Sequence, residues 1–279
     1  MSKAVPSFHY RLAHPGYRVF PGAHPGQTVG GGQLFKRHEP LLASPDPRRI
    51  DLRASVLDPF RHYRVRVFQQ HSKLAVYVIA DLSASMRGKL PLLADFVLSA
   101  AQSALECGDS FGFIGCGPSL DRRWLLPASQ TLQPVRELAI RLADFQAHGK
   151  ADSLQRAATL LPARRSLVFL VSDCHFDPAS LRKLLRPLTP HAVVPMVAWD
   201  EAEYRGLPEW GLARFKDAEN GRERTLLMRP DLKRRIVQAF EDRREHLRRI
   251  FRAFGMEPLF FSGAYRAEAM ERYFLRHAL

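Results

Sequence analysis

Cysteine is scarce in this chain, acidic residues are outnumbered, and no apolar run is long. Cys107, Cys116 and Cys174 are its three cysteines; they cannot all pair, and no two form a Cys-x-x-Cys. A disulfide framework and a zinc knuckle are therefore excluded, and free buried thiols are expected. No window approaches the roughly 20 apolar residues that cross a bilayer. Met1 to Tyr10 also lacks a basic stretch leading into an apolar one, so the expectation is a cytoplasmic protein with no membrane span. Against 42 Lys and Arg stand 28 Asp and Glu, a net charge of +14 over 279 residues. Twelve basic and four acidic residues fall in residues 1–73, a surplus of +8 in the first quarter. Such a surplus suits an acidic partner, nucleic acid or an anionic surface, and it equally suits a basic protein with an Arg-rich exterior.

A hydrophobic content of 46% gives enough material for one sizeable α/β domain with extensions. Residues 1–35 are rich in Gly, Pro and His, which predicts turns and extended pieces. Gly30-Gly31-Gly32 lacks the Gly-Lys-Ser/Thr ending of a phosphate loop and reads as a flexible loop. Tyr63 to Phe68 alternates apolar residues with Arg, as an edge strand with one wet face would. Leu74 to Ala80 is a charge-free run rich in branched and aromatic side chains, suited to a strand buried on both faces. Helical spacing follows from Leu90 to Leu105, with Pro91 in the first turn and Gly108 as the stop. Strands are expected at 109–115, 120–126, 166–172 and 192–199, a hairpin at Gly117-Pro118, and helices at 134–145, 153–161 and 178–186. That alternation predicts a doubly wound, mostly parallel sheet flanked by helices. Beyond 205, two short edge strands around Glu219-Asn220-Gly221 precede one long helix, 231–254, whose stripe Leu232, Ile236, Phe240, Leu247, Ile250 and Phe254 is expected to pack on its own domain. The division expected is a basic N-terminal segment 1–72, an α/β domain 73–204 and a helical extension 205–279.

Where the central apolar run stops, Asp81-Leu82-Ser83-Ala84-Ser85-Met86 begins, and a second aspartate, Asp173, directly follows Val171-Ser172 at another strand end. Carboxyl ends of strands line one edge of a doubly wound sheet, so these groups can converge across 92 residues. Gly149-Lys150-Ala151-Asp152-Ser153, opening a helix, can reach the same edge. Carboxylates and hydroxyls are hard ligands, suited to Mg²⁺ or Mn²⁺ without His or Cys. The same Ser and Asp residues also suit simple capping of the helices that follow.

An apolar strand, Asp-x-Ser-x-Ser, a helix and a later Ser-Asp resemble the metal-ion-dependent adhesion site of the von Willebrand factor A domain. Upstream, Pro45-Asp46-Pro47-Arg48-Arg49-Ile50-Asp51 resembles a bacterial family whose members are typically encoded beside MoxR-type AAA+ ATPases, with Leu52 where relatives usually carry tryptophan. The resemblance implies a von Willebrand A-like fold and a Mg²⁺ (or Mn²⁺) site built from Asp81, Ser83, Ser85, Asp152 and Asp173. Asp152 stands where the family presents a threonine, a change that would add negative charge around the ion. It further implies a non-enzymatic interaction module that docks an acidic residue of a client protein. That module would act with a MoxR-type ATPase in maturation, metal insertion or assembly of another enzyme complex, for example a dehydrogenase.

Rival readings use other residues. A nucleic-acid-binding protein would employ the basic N-terminal segment with Phe35, Phe60, Tyr63 and Phe68. A metal-dependent hydrolase would need a general base or nucleophile beside the carboxylates, and none accompanies them. Cys174-His175 are loop neighbours that seldom face each other, His9, His14, His24 and His38 are too widely spaced for a metal site, and no Gly-x-Ser-x-Gly elbow occurs.

Overall fold

The structure, a computed structural model, describes residues 6–10, 24–43, 45–199, 204, 206–216, 223–261, 263 and 265–277. Its strands are β1 (His24–Pro40), β2 (Arg64–Ser72), β3 (Ala75–Asp81), β4 (Ser110–Cys116), β5 (Leu120–Ser129), β6 (Leu167–Ser172), β7 (Ala192–Ala198), β8 (Gly211–Lys216), β9 (Glu223–Met228) and β10 (Leu259–Phe261). Its α-helices are α1 (Leu52–Val56), α2 (Leu90–Glu106), α3 (Gln133–Asp144), α4 (Pro178–Leu185), α5 (Pro230–Ala253) and α6 (Ala267–Arg276). The main sheet runs β10-β7-β6-β3-β4-β5. Every neighbouring pair in it is parallel except β4 and β5, the expected hairpin, which are antiparallel. The protein is thus α/β with a mostly parallel central sheet flanked by helices.

Strand residues alternate between two cores, as the period of two requires. Val76, Val78 and Ala80 of β3, with Phe169 and Val171 of β6, meet Leu93, Phe96 and Val97 of α2, Leu138 of α3 and Met270 and Phe274 of α6. Ala75, Tyr77 and Ile79, with Val168 and Leu170, meet Leu181 and Leu184 of α4 and Leu247, Ile250 and Phe251 of α5. Each large side chain buried in this way stabilises the fold by about 2 kcal/mol. The long helix therefore packs on its own domain, as its stripe predicts.

Five features depart from the sequence reading, the first being that β1 runs through Gly30-Gly31-Gly32, which the sequence reads as a flexible loop. Asp152–Leu160 is a 3-10 helix in place of an α-helix; Leu154 and Ala157, three apart, are its buried residues along with Ser153, and three is the period of that helix. Among the described residues β8 and β9 pair only with each other, and β2 pairs with β1, so these strands lie outside the main sheet. The Glu219-Asn220-Gly221 turn and Phe68's side chain lie outside the described residues. The C-terminal part returns to the sheet: β10 adds a parallel strand beside β7, and α6 buries Met270, Tyr273 and Phe274. At the other end of the chain, Phe8 and Tyr10 are core residues within a stretch that reads as loop. The Phe8 N–H donates to Ser103 Oγ at 2.8 Å, and the Tyr10 hydroxyl donates to Asp109 Oδ2 at 2.6 Å. No described helix is long and apolar enough to cross a membrane.

Candidate functional site

β3 and β6 are neighbours, yet the chain leaves them in opposite directions, from β3 through α2 to β4 and from β6 through α4 to β7. Crevices outside such a switch point are where open α/β sheets hold ligands. Asp81 ends β3 at this point, fully buried. Its Oδ1 accepts the Ser83 N–H at 2.8 Å and its Oδ2 accepts the Ser172 hydroxyl at 2.8 Å. Ser83 and Ser85 hydroxyl oxygens lie 3.1 Å apart. Asp173 follows β6 with 1% exposure, and its Oδ1 accepts the His175 N–H at 3.3 Å. Asp173 Oδ2 is buried and accepts no hydrogen bond among the described residues, while the Lys89 ammonium stands 3.8 Å from it. Burial first, and then the Asp173 carboxylate, push the Asp81 carboxyl up to about 6, against hydrogen bonds from Ser83 and Ser172 that favour its ionised form.

Neighbouring loops are laced to this centre by backbone. The Ala84 N–H donates to Gly149 O at 2.9 Å, and the Arg87 guanidinium donates to Ala147 O at 2.7 and 3.0 Å. Gly149 holds φ +67, and an added Cβ would lie 2.8 Å from Pro118 Cγ, so glycine is required where this loop meets the Asp81 loop. Cys174 also adopts a left-handed φ of 55. Its N–H donates to Ser172 Oγ at 3.0 Å, and its carbonyl accepts from Arg243 of α5 at 2.9 Å, so the surroundings over-determine a strained residue. Arg243 donates to Phe176 O as well, and the Trp199 indole N–H donates to Asp173 O at 2.7 Å.

Of the residues expected from sequence, Asp81, Ser83, Ser85 and Asp173 come to this one edge. Asp152 opens its 3-10 segment with an exposed side chain, and it is the adjacent Ser153 that turns inward, donating its hydroxyl to Gly117 O at 2.7 Å. No group of three His, Cys, Asp or Glu that could hold a metal occurs among the described residues, so Asp152 does not join a three-carboxylate centre. Two carboxylates and two hydroxyls do form a hard donor set, and the unsatisfied Asp173 Oδ2 leaves a lone pair for a cation. The two buried thiols near the site are held in their protonated form. Burial and Asp81 push the Cys116 thiol up to about 12, burial also raises Cys174, and His175 is exposed, stacked on Trp199.

Sequence reasoning missed Lys89, Ser172, Trp199 and Arg243. Ser172 was the most accessible of these, an inward residue directly before an aspartate at a strand end.

The family described as "Protein of unknown function DUF58" matches residues 46–246. The chain belongs to that family. The DUF58 match runs from Asp46 of the Asp-Pro-Arg-Arg-Ile-Asp stretch into α5, so it contains both aspartates of the site and Arg243. The chain is similar to the "Uncharacterized protein in moxR 3'region" of Paracoccus denitrificans, with 38% identity over 99 residues that cover 36% of this chain and 94% of that one. Among solved structures it resembles an aerotolerance-related membrane protein from Bacteroides fragilis, at TM-score 0.44 and 10% identity over 73% of this chain and 97% of that one. It also resembles the conserved hypothetical protein BatB from Bacteroides thetaiotaomicron, at TM-score 0.41 and 10% identity over 73% and 98%.

Proposed function

We propose that the protein is a non-catalytic, von Willebrand A-like interaction module whose Asp81, Ser83, Ser85 and Asp173 hold Mg²⁺ or Mn²⁺. The observation that carries this reading is the pair of buried carboxylates at the switch point, one of them with an oxygen that no hydrogen bond satisfies among the described residues. Like charges removed from water repel each other, and a divalent cation between them removes that penalty. Asp81, Ser83, Ser85 and Asp173 would hold the ion, which supplies a positive centre for an acidic side chain of a client protein. The relative named for the region 3' of moxR supports a MoxR-type AAA+ ATPase as the working partner, which would supply ATP hydrolysis. Calorimetric titration of Mg²⁺ and Mn²⁺ into wild type and Asp81→Ala tests the site. Equal binding by both, or none by wild type, sinks the metal reading. Co-purification with the ATPase, with and without EDTA, tests the partner.

A nucleic-acid reading keeps one specific support: Phe60 and Tyr63 are 75% and 60% exposed amid the basic N-terminal segment. Binding to single strands that weakens steeply with salt would favour it, and absent or salt-insensitive binding rejects it.

A further inference from the structure

Lys89 belongs to two places at once. Its ammonium lies 3.8 Å from the buried Asp173 Oδ2, with only 12% of the side chain exposed. It also lines a cavity of about 380 Å³ on the same edge, together with Leu92, Asp95, Trp199, Phe261 and Tyr265. We infer that Lys89 is the resident cation of the Asp81–Asp173 pair and competes with a divalent ion for Asp173, moving into the adjacent cavity when the ion enters. This inference rests on the metal reading proposed above.

The physical grounds are electrostatic and steric. A buried carboxylate is costly without a cation close by, and the ammonium stands 3.8 Å from the Asp173 oxygen that accepts no hydrogen bond among the described residues. An ion on Asp173 would stand next to the ammonium, and the two like charges would repel each other strongly inside the fold. Displacement needs room and a second place for the positive charge. The cavity gives the room, and Asp95 on its wall gives a carboxylate. A lysine is suited to such movement, a point charge on a four-carbon stem, where the forked guanidinium of arginine would hold one geometry.

Mn²⁺ is the probe and the full chain is the sample. Calorimetry should give Lys89→Met at least about tenfold tighter Mn²⁺ binding than wild type, because a competing unit charge beside the ligand oxygen has gone. A second measurement needs no variant: acetylation of Lys89 by acetic anhydride, read by mass spectrometry, should rise several-fold when wild type is saturated with Mn²⁺. Equal or weaker binding by the folded variant while wild type binds, or Lys89 acetylation indifferent to Mn²⁺, overturns the inference and leaves the metal site standing. Absence of Mn²⁺ binding in both proteins overturns the inference and the metal site together.

Discussion

Replacing Asp81 by asparagine should stabilise the metal-free protein at neutral pH, although the residue sits at the centre of the candidate site. Its carboxyl is raised from 3.8 to about 6 by burial and by Asp173, a displacement equivalent to about 3 kcal/mol. Below about pH 3 the group is protonated in the folded and unfolded chain alike, and no penalty operates. As pH rises from there through 6, the unfolded chain ionises more readily than the folded one, so stability falls and the full loss is present above about pH 7. Asparagine keeps an acceptor for the Ser83 N–H but turns a donor toward Ser172, which costs about 1 kcal/mol. The net expectation is a gain of about 2 kcal/mol at about pH 7.5, or about 5 °C in Tm for a chain of this size. Urea denaturation in EDTA, run on both proteins near pH 3 and near pH 7.5, reads the penalty of the Asp81 charge together with its repulsion of Asp173. A variant less stable than wild type at the higher pH, or a difference that does not change with pH, refutes the reasoning.

Two further expectations follow from contacts away from the carboxylates. Arg243→Met removes the donor to the carbonyls of Cys174 and Phe176, so stability should fall by about 2 kcal/mol and amide exchange of the loop after β6 should quicken; unchanged protection would mean that α5 does not hold that loop. Phe8→Ala should cost about 3–5 kcal/mol and Tyr10→Phe about 1–3 kcal/mol in chemical denaturation, as for any buried aromatic and any hydrogen bond to a carboxylate. A loss below about 1 kcal/mol for Phe8→Ala would show the N-terminal segment to be detached from the core.

Much of the sheet was legible because its strands are buried on both faces. Leu74 to Ala80 and Leu167 to Val171 carry uninterrupted apolar residues, and the helices between strands repeat them at 3.6. Asp81 and Asp173 were legible for a related reason, since each is the first charge after such a run. The elements that escaped are short or defined by their partners. Leu259-Phe260-Phe261 is a three-residue strand that exists because β7 offers it an edge. Phe8 and Tyr10 flank an exposed His9 in too brief an alternation to stand out from the Gly and Pro around them. Ser172 and Lys89 gain their roles from a register between strands and a helix start that no local pattern specifies. Asp152 was placed by position relative to Leu154 and Ala157, and the tighter 3-10 winding turned Ser153 inward instead.

The seating of Phe8 has a consequence for how the protein is made. Its ring stacks at 6.1 Å against Phe274, so two residues separated by almost the whole chain share one core. While the ribosome is still synthesising α5, the groove on α2 that Phe8 and Phe274 fill together has only its first occupant. The central strands can pair early, but this seam closes only after α6 has emerged, and a nascent chain exposes an aromatic surface until then. A chain built in this way completes its central core only when its last helix has been made.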